Sequence, residues 1–204
     1  HRYIDNTQDI FSSWVYGLNN PPNYIEYKLR HASMAHTLDL EKELFDNHKT
    51  LLLEESSLLV LNELGLLDLV VRCVPKLAVL KGVYLSYSRS SHPMMGSIFS
   101  TLPSKIINSL GEQLDKITLI PNNEEMPFES YSLAIGRGDF VLLSDDFNLV
   151  QLISLKEKEL DNCNVFNILQ LLAKKELVSN EKLSFFLENY FPVFFLLVLP
   201  KSIF

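Results

Sequence analysis

Glycine and cysteine are both scarce in this chain. Only 7 of its 204 residues are glycine, and because hairpin turns depend on glycine, this argues against a turn-rich all-β fold. The two cysteines, Cys73 and Cys163, are far apart and have no CxxC spacing. They indicate neither a disulfide framework nor a zinc site, so we expect a reducing compartment and a cytoplasmic protein.

Long apolar runs are also lacking. The most apolar stretch, residues 191–199, is about half of the ~20 residues that a membrane-spanning helix needs, and Pro192 and Pro200 bracket it. We therefore expect no membrane span, and we interpret the stretch as a buried strand or a docking tail, with an exposed tail as the alternative. The chain begins at His1 rather than Met and shows no signal peptide, so we expect a fragment, a processed form or an engineered start.

Positive charge is in deficit: 18 Lys and Arg face 25 Asp and Glu, a formal net charge of -7. Such a surface repels phosphate unless a local basic patch intervenes, which argues against a protein that coats DNA. It does not argue against an enzyme that holds metal ions with carboxylates. The glycine patterns of P-loops and dinucleotide-binding folds are absent, as is the GxSxG motif of serine hydrolases.

What the chain does contain is an alternation of short apolar runs with helical patterns. The runs predict strands at residues 51–53, 71–75, 83–87, 116–120, 140–143 and, weakly, 163–166. The patterns between them predict helices at residues 58–70 (interrupted at Gly65), 98–110, 126–136, 147–155, 168–175 and 181–190. This order predicts βαβ units, and hence an α/β fold with a mainly parallel sheet flanked by helices.

The first quarter of the chain has a different pattern. Residues 24–48 carry apolar side chains at helical spacing, which predicts an amphipathic N-terminal helical segment. We therefore divide the chain into residues 1–49, a helical lead-in or the end of a preceding helical domain, and residues 50–204, the α/β domain.

Acidic residues follow two of the predicted strands. Glu54 comes directly after residues 51–53, and Asp145 and Asp146 follow residues 140–143, while Glu124 and Glu125 precede the helix before that second strand. Parallel strands end at a common edge, so we expect Glu54 and Asp145 to lie across adjacent strands. Gathered carboxylates suit Mg²⁺ or Mn²⁺, which could activate water for attack on a phosphate. The alternative is that these acids only cap helices.

Three stretches in order resemble the PIN-domain family of small metal-dependent ribonucleases. LLLEESSLLVLNELGLLDLVVRCVP resembles the opening strand, acid and Leu-rich helix of that family. ESYSLAIGRGDFVLLSDDFNLVQL resembles its later strand followed by Asp-Asp, and VFNILQLLAKKELVSNEKL resembles its closing helices. The resemblance covers about residues 50–190, with a poorly matched middle, and its weight lies in the order of the motifs.

The resemblance implies a function and a set of site residues. Glu54, Asp145 and Asp146 would be the catalytic acids, with Glu54, Asp145 and Glu125 (or Glu124) holding Mg²⁺ or Mn²⁺ for hydrolysis of RNA. Glu54 replaces the usual Asp, and Lys81 stands where the family has a further acid. A lysine directed into the site would compete with the metal for the carboxylates, so we expect weak activity at best.

Two basic residues are candidates for contact with single-stranded RNA. Arg89 falls in the Ser-rich stretch SYSRSSHP, predicted as a loop over residues 88–93, and Lys105 follows in the next helix. Such a loop could grip a phosphate while Tyr87 stacks on a base, although a solvated connector is the commoner role for this composition.

Two further functions remain open. The chain could be a catalytically inactive PIN-like module that binds protein partners or flanking domains of a longer intracellular protein, a hypothesis that Lys81 favours. A response-regulator-like or other doubly wound domain would explain Asp-Asp after a strand, but not the order of the other motifs.

Overall fold

The computed structural model describes residues 38–91, 98–121, 127–137, 139–157, 160–179 and 181. Its strands form one sheet in the order β3-β2-β1-β4-β5, and every pairing is parallel. The strands are β1 (Thr50–Leu53), β2 (Leu77–Leu80), β3 (Ile117–Ile120), β4 (Phe140–Leu143) and β5 (Asn162–Cys163). The predicted α/β fold with a mainly parallel sheet flanked by helices is confirmed.

Helices connect consecutive strands. They are α1 (Glu55–Glu63), α2 (Leu67–Cys73), α3 (Lys81–Ser90), α4 (Ile98–Gly111), α5 (Pro127–Ile135), α6 (Phe147–Lys156) and α7 (Val165–Lys174), with a 3-10 turn at Leu114–Lys116. Helices α1, α2 and α3 all contact α4, whereas α5 contacts α6, and α7 contacts α1. None of the described helices has the length and apolar character that crossing a membrane requires.

The central strands are apolar because helices cover the sheet. All of β2 and the last three residues of both β1 and β4 are buried, so these segments read as continuous apolar runs rather than alternating ones. The edge strand β3 is different, since Thr118 in its middle is exposed. Burial of the sheet therefore explains why runs as short as Leu51–Leu53 are recognisable as strands.

The order of the strands reverses between β1 and β4. From β1 the chain adds β2 and then β3 on one side, and it returns to add β4 and β5 on the other. In open parallel sheets this point of reversal opens a crevice beyond the carboxyl ends of the strands, where ligands commonly bind. Leu53 pairs with Leu143, so Glu54 and Ser144 leave the sheet side by side.

The predicted interruption at Gly65 is confirmed, and it has a backbone cause. Gly65 has a positive φ of 64°, and it follows Leu64, the residue that caps the end of α1. The Gly65 N–H donates to the Asn62 carbonyl at 3.0 Å, and the Leu66 N–H donates to the Leu61 carbonyl at 2.8 Å. These two bonds define a Schellman cap, which ends α1 and lets α2 begin in a new direction.

The described end of the N-terminal segment packs on the sheet domain. Leu40 and Leu44 belong to the same buried cluster as the strands, and Leu44 lies in a short π-helix, Lys42–Asp46. Lys49 forms ion pairs with Glu43, at 2.9 Å, and with Asp161, the residue immediately before β5. Residues 38–48 are thus fastened to the core, while residues 1–37, including most of the predicted helix, lie outside the described residues.

Two predicted strands are wrong. Residues 71–73 continue α2, and the strand begins only at Leu77, because packing of Val70 and Val71 in the core outweighs the local strand preference of valine. Residues 83–87 belong to α3. Val83 and Tyr87, which looked like alternate positions of a strand, are i and i+4 on the buried face of a helix.

Two predicted boundaries also need correction. Residues 88–90, predicted as part of a polar loop, form the last turn of α3. The weak strand at residues 163–166 is shorter than predicted, since β5 ends at Cys163 and Val165 already begins α7. Asn164 makes that early start possible, because its side chain and that of Asn167 form a reciprocal capping box. The predicted helix at residues 181–190 lies outside the described residues beyond Glu181.

Replacing Leu44 with alanine should destabilise the protein. Leu44 is fully buried in the core, so the change should lower the free energy of unfolding by about 2–5 kcal/mol, measured by chemical denaturation. Leu155→Ala is the matched control, because Leu155 is 83% exposed and its loss should change stability by less than ~0.5 kcal/mol. Equal effects would mean that residues 38–48 are not part of the folded unit.

Gly65→Ala should also be destabilising, for a different reason. The space around Gly65 is open, so the cost of about 1–2 kcal/mol arises only from forcing a β-carbon into the left-handed backbone region. Gly65→Asn should cost less, because asparagine tolerates that region. Denaturation midpoints of the two variants would test the cap, and equal loss in both would contradict it.

Candidate functional site

Glu54 lies at the junction of β1 and α1, where it caps the helix. Its backbone is extended (φ -85°, ψ 157°), and its Oε2 accepts a hydrogen bond from the Ser56 N–H at 2.9 Å. The same oxygen also accepts from the Ser56 hydroxyl and, at 3.2 Å, from the Ser144 hydroxyl. Glu54 is 4% exposed, so this carboxyl group is held inside the protein by three donors.

The junction of β4 and α6 mirrors this arrangement. Asp146 Oδ1 accepts from the Leu149 N–H at 3.2 Å and so caps α6, while the Asp146 N–H donates to the Ser144 hydroxyl at 3.0 Å. The Asp145 N–H donates to the Ser56 hydroxyl at 3.3 Å, and the Ser57 hydroxyl lies 3.4 Å from Asp145 Oδ2. Hydrogen bonds of serine hydroxyls therefore join the ends of β1 and β4.

A second buried acid, Glu55, lies beside Glu54 and faces two tyrosines. Tyr87 comes from α3 and Tyr131 from α5, and all three side chains are at most 4% exposed. The Tyr87 hydroxyl is close enough to Glu55 to influence its ionisation. The Glu55 backbone N–H also acts on the Tyr131 hydroxyl, although neither contact has ordinary hydrogen-bond geometry in the described parts of the chain.

Burial shifts the ionisation of all four groups. Burial, followed by the negative charge of Asp146, raises the pKa of Glu54 to about 7 against the opposing effect of its hydrogen bonds from Ser56 and Ser144. Burial, followed by the charge of Glu54, raises the pKa of Glu55 to about 8. Burial also raises the pKa of Tyr87 and of Tyr131 well above its usual range, with the two glutamates adding to the effect.

The structure brings three of the predicted site residues together. Glu54, Asp145 and Asp146 meet at the carboxyl ends of adjacent parallel strands, which is the placement that the sequence predicted. Their roles in catalysis and metal binding stay predictions. The capping alternative is also realised, since Glu54 caps α1 and Asp146 caps α6. Glu124 and Glu125 lie outside the described residues.

The basic residues are less closely associated with this edge. Lys81 begins α3 directly after β2, beside β1, but it is exposed and forms no ion pair with the acids of the described chain. Arg89 is exposed on α3 rather than in a loop, eight residues or about 12 Å along the helix axis from Lys81. Lys105 is exposed on α4. As far as the chain is described, neither Arg89 nor Lys105 forms a hydrogen bond or ion pair with Glu54, Asp145 or Asp146.

The described acids alone make a poor fit to Mg²⁺ or Mn²⁺. Glu54, Asp145 and Asp146 are the residues that would hold such an ion, but Glu54 Oε2 and Asp146 Oδ1 are already engaged by backbone and hydroxyl donors. No group of three or more His, Cys, Asp or Glu side chains is placed to hold a metal ion in the ranges that the structure describes.

Sequence reasoning missed the inner part of this site. The sequence does not mark Glu55 or Tyr131 as site residues, and it suggests base stacking beside a loop for Tyr87. The i, i+4 spacing of Val83 and Tyr87 was a signal that Tyr87 faces inward from a helix. No signal in the sequence could have joined Tyr131 to Glu55, because their approach depends on how α5 packs.

Comparison of the chain with models of known protein families, with curated proteins and with solved structures found no match. The fold and the site themselves define a doubly wound parallel α/β domain with acids at its point of strand reversal.

The raised pKa values predict how stability depends on pH. Near pH 4.5 the glutamates begin to ionise in the unfolded chain, whereas the folded chain keeps Glu54 and Glu55 protonated until about pH 7 and 8. The folded state therefore binds more protons, and the free energy of unfolding should fall as the pH rises from 4.5 to 8.

Urea denaturation across this pH range, with a chelator present, would measure the effect. Glu55→Gln should flatten the decline because glutamine cannot ionise, whereas Glu112→Gln, at an exposed position, should leave it unchanged. Glu43 should not affect this range. Its hydrogen bond from Lys49 lowers its pKa, so its contribution to stability is lost only as the pH falls below 4.5. A flat profile in the unaltered protein would contradict the burial of two acids.

Proposed function

We propose that this chain is a PIN-like α/β domain descended from metal-dependent endoribonucleases, in which hydrolysis is weak or lost. The observation that carries the proposal is the double use of the acids at the strand reversal. Glu54 and Asp146 occupy positions suited to a metal-dependent site, yet each carboxylate caps a helix. Capping fixes their direction and engages oxygens that a metal ion would need.

The electrostatics of Glu54 support the same proposal. A metal ligand must be deprotonated, and a glutamate with a pKa of about 7 is protonated for a substantial fraction of the time near neutral pH. The extra methylene of Glu54, relative to the aspartate usual in the family, is used to curl the carboxylate back onto Ser56 rather than to extend it outward. Both effects weaken the binding of a metal ion at this edge. Mg²⁺ or Mn²⁺ and single-stranded RNA are the cofactor and substrate of any remaining activity.

The location of the protein is part of the proposal. Cys73 and Cys163 are both free cysteines. Unpaired cysteines, one of them buried, suit a reducing compartment, so we propose that the protein acts in the cytoplasm.

A second candidate is an inactive PIN-like module that binds a protein partner or a flanking domain. One observation favours it: Leu133 on α5 and Leu155 on α6 are 70% and 83% exposed, and these two helices contact each other. Contiguous exposed apolar patches mark surfaces that a partner covers, and leucines on two neighbouring helices could contribute to one. The two candidates differ in what the domain does, which is residual cleavage of RNA in the first and binding of a partner in the second.

The decisive assay is cleavage of a fluorescently labelled single-stranded RNA by the unaltered chain in Mn²⁺. We expect the rate to exceed that of Asp145→Asn by less than about tenfold, whereas even outer-shell changes in a working metal site commonly cost about 10–100-fold. Asp139→Asn is the matched control, since Asp139 is an exposed aspartate immediately before β4.

Robust Mn²⁺-dependent cleavage that Asp145→Asn abolishes and Asp139→Asn preserves would overturn the proposal in favour of an ordinary nuclease. Cleavage equal to a no-protein blank in all three chains would favour the interaction module. Lys81→Glu adds a further test, because stronger Mn²⁺ binding in that variant, measured by calorimetry, would show that the exposed lysine repels the ion from this edge.

A further inference from the structure

Residues 38–41 lie beside helix α7, and we call them the strap. All four line an open cavity of about 140 Å³ together with one face of α7, which is formed by Asn167, Gln170, Leu171 and Lys174. Of the four strap side chains, Leu40 alone is buried. Protein interiors are closely packed, so a cavity at this contact means that packing contributes little to holding the strap on α7.

Charge holds the end of the strap instead. The Glu41 carboxylate forms ion pairs with the ammonium groups of Lys174, at 2.5 Å, and of Lys175, at 3.0 Å. The Lys175 ammonium group also lies 4.0 Å from the centre of the Phe45 ring. The hydrogen bond between them lowers the pKa of Glu41 and raises that of Lys174, so both side chains keep their charges near neutral pH. These three contacts, which we call the clasp, fasten the strap to the end of α7.

The clasp lies at the surface, and this limits its strength. The side chains of Glu41 and Lys174 are 33% and 66% exposed. Ion pairs at such positions contribute little each, and dissolved salt screens them. The clasp is therefore strong enough to favour a closed strap, but weak enough to break while the core stays folded.

The chain is anchored directly after the strap. Lys42–Asp46 form the π-helix, and Leu44 within it is fully buried in the core. The Asn47 N–H donates to the Lys42 carbonyl at 2.8 Å at the end of this π-helix. Such turns are rare, and they occur mostly at functional positions and at bends of helices. Leu44 thus holds the π-helix on the core, whereas the strap ahead of it depends on Leu40 and the clasp.

We propose that the strap opens locally, while the sheet and the rest of the core stay folded. Opening breaks the clasp, unwinds the turn ahead of the π-helix and exposes Leu40 together with the face of α7 that lines the cavity. Loss of charge at Lys174 or Lys175, or a high salt concentration, shifts the strap towards this open state. Opening part of a fold requires less free energy than global unfolding. The strap is thus a conformational device controlled by charge, and it rests on neither of the candidate functions.

The test uses cysteine probes in the full chain. Cys73 and Cys163 are replaced by alanine, and a single thiol is then introduced by Leu40→Cys in the strap or by Leu44→Cys in the anchor. Alkylation by iodoacetamide, an uncharged reagent, measures how often each thiol becomes exposed under native conditions. We expect the Leu40→Cys chain to react at least about tenfold faster than the Leu44→Cys chain, because only the strap opens locally.

Variants of the clasp show whether charge controls the opening. Glu41→Gln should speed alkylation of the Leu40→Cys chain by about three- to tenfold, since it removes both ion pairs. NaCl should speed alkylation of the same chain when Glu41 is present, and Glu41→Gln should abolish most of that dependence on salt. Glu112→Gln is the matched control, because Glu112 is exposed and far from the strap in sequence, and it should leave both the rate and its dependence on salt unchanged.

A second control separates local opening from global unfolding. Leu110 is buried on α4, so Leu110→Ala destabilises the whole fold. It should speed alkylation of the Leu44→Cys chain but not of the Leu40→Cys chain, because α4 stays folded when the strap opens. Circular dichroism establishes that each variant is folded.

Hydrogen exchange of the unaltered chain gives the same comparison without any substitution. The Glu43 N–H, which donates to the Asp39 carbonyl at 3.0 Å, should exchange faster than the Glu54 N–H, which donates to the Leu143 carbonyl between β1 and β4.

Two results would overturn the proposal. Equal alkylation rates of the two probe chains, both raised by Leu110→Ala, would mean that the strap opens only when the whole domain unfolds. A rate for the Leu40→Cys chain that Glu41→Gln leaves unchanged would mean that the clasp does not hold the strap. Neither result bears on the proposed loss of hydrolysis, which the cleavage assay tests separately.

Discussion

Burial of β1 on both faces is the constraint on which the rest of the structure depends. Leu51, Leu52 and Leu53 are fully buried at the centre of the sheet, between β2 and β4. The chain that leaves this strand must still satisfy the first N–H groups of α1, and it must do so where water is excluded. Glu54 and the serines around it meet that requirement, which explains why a carboxyl group lies so deep in the fold.

The same constraint couples the two halves of the sheet. Because Glu54 accepts from Ser144 and Ser56 accepts from Asp145, the helix caps at the ends of β1 and β4 form one hydrogen-bonded unit. A cap that serves two helices is rigid, and rigidity is useful to a catalytic site only when the oxygens still point at the substrate. Here the oxygens of Glu54 point into the protein. The Glu54 carboxylate could either cap the helix or bind a ligand, and its hydrogen bonds commit it to the cap.

Much of the fold could be predicted from the sequence, for reasons that particular elements make clear. The runs at β1, β3 and β4 are bounded by polar residues or proline, and their neighbours have long helical periodicity, so the strands were recognisable. Two strands were wrongly predicted between Val71 and Tyr87. Valine favours strands locally, which explains the first. Val83, Leu85 and Tyr87 fit the two-residue period of a strand, while Val83 and Tyr87 also fit the four-residue spacing of a helix, which explains the second.

The candidate site was likewise predictable only in part. The meeting of Glu54 with Asp145 and Asp146 follows from the rule that parallel strands end at one edge, so it was predictable once the strands were. The buried group of Glu54, Glu55, Tyr87 and Tyr131 was not, because α3 and α5 contribute to it through tertiary packing that no local pattern encodes. Lys81 illustrates the opposite limit: the structure places it directly after β2, and neither this position nor the direction of its side chain follows from a local pattern in the sequence.

The pairing of β1 with β4 also has a consequence for how the protein is made. The hydrogen bond between Ser144 and Glu54 joins residues 90 positions apart, and the link between Lys49 and Asp161 spans 112. During synthesis the first strand therefore emerges from the ribosome long before its partners on that side exist. Until they arrive, one flank of β1 and its two glutamates are open to solvent, and non-local closure of this kind is slow. The nascent chain thus passes through a half-formed sheet with an unpaired apolar edge, and such an edge is the kind of surface that chaperones bind.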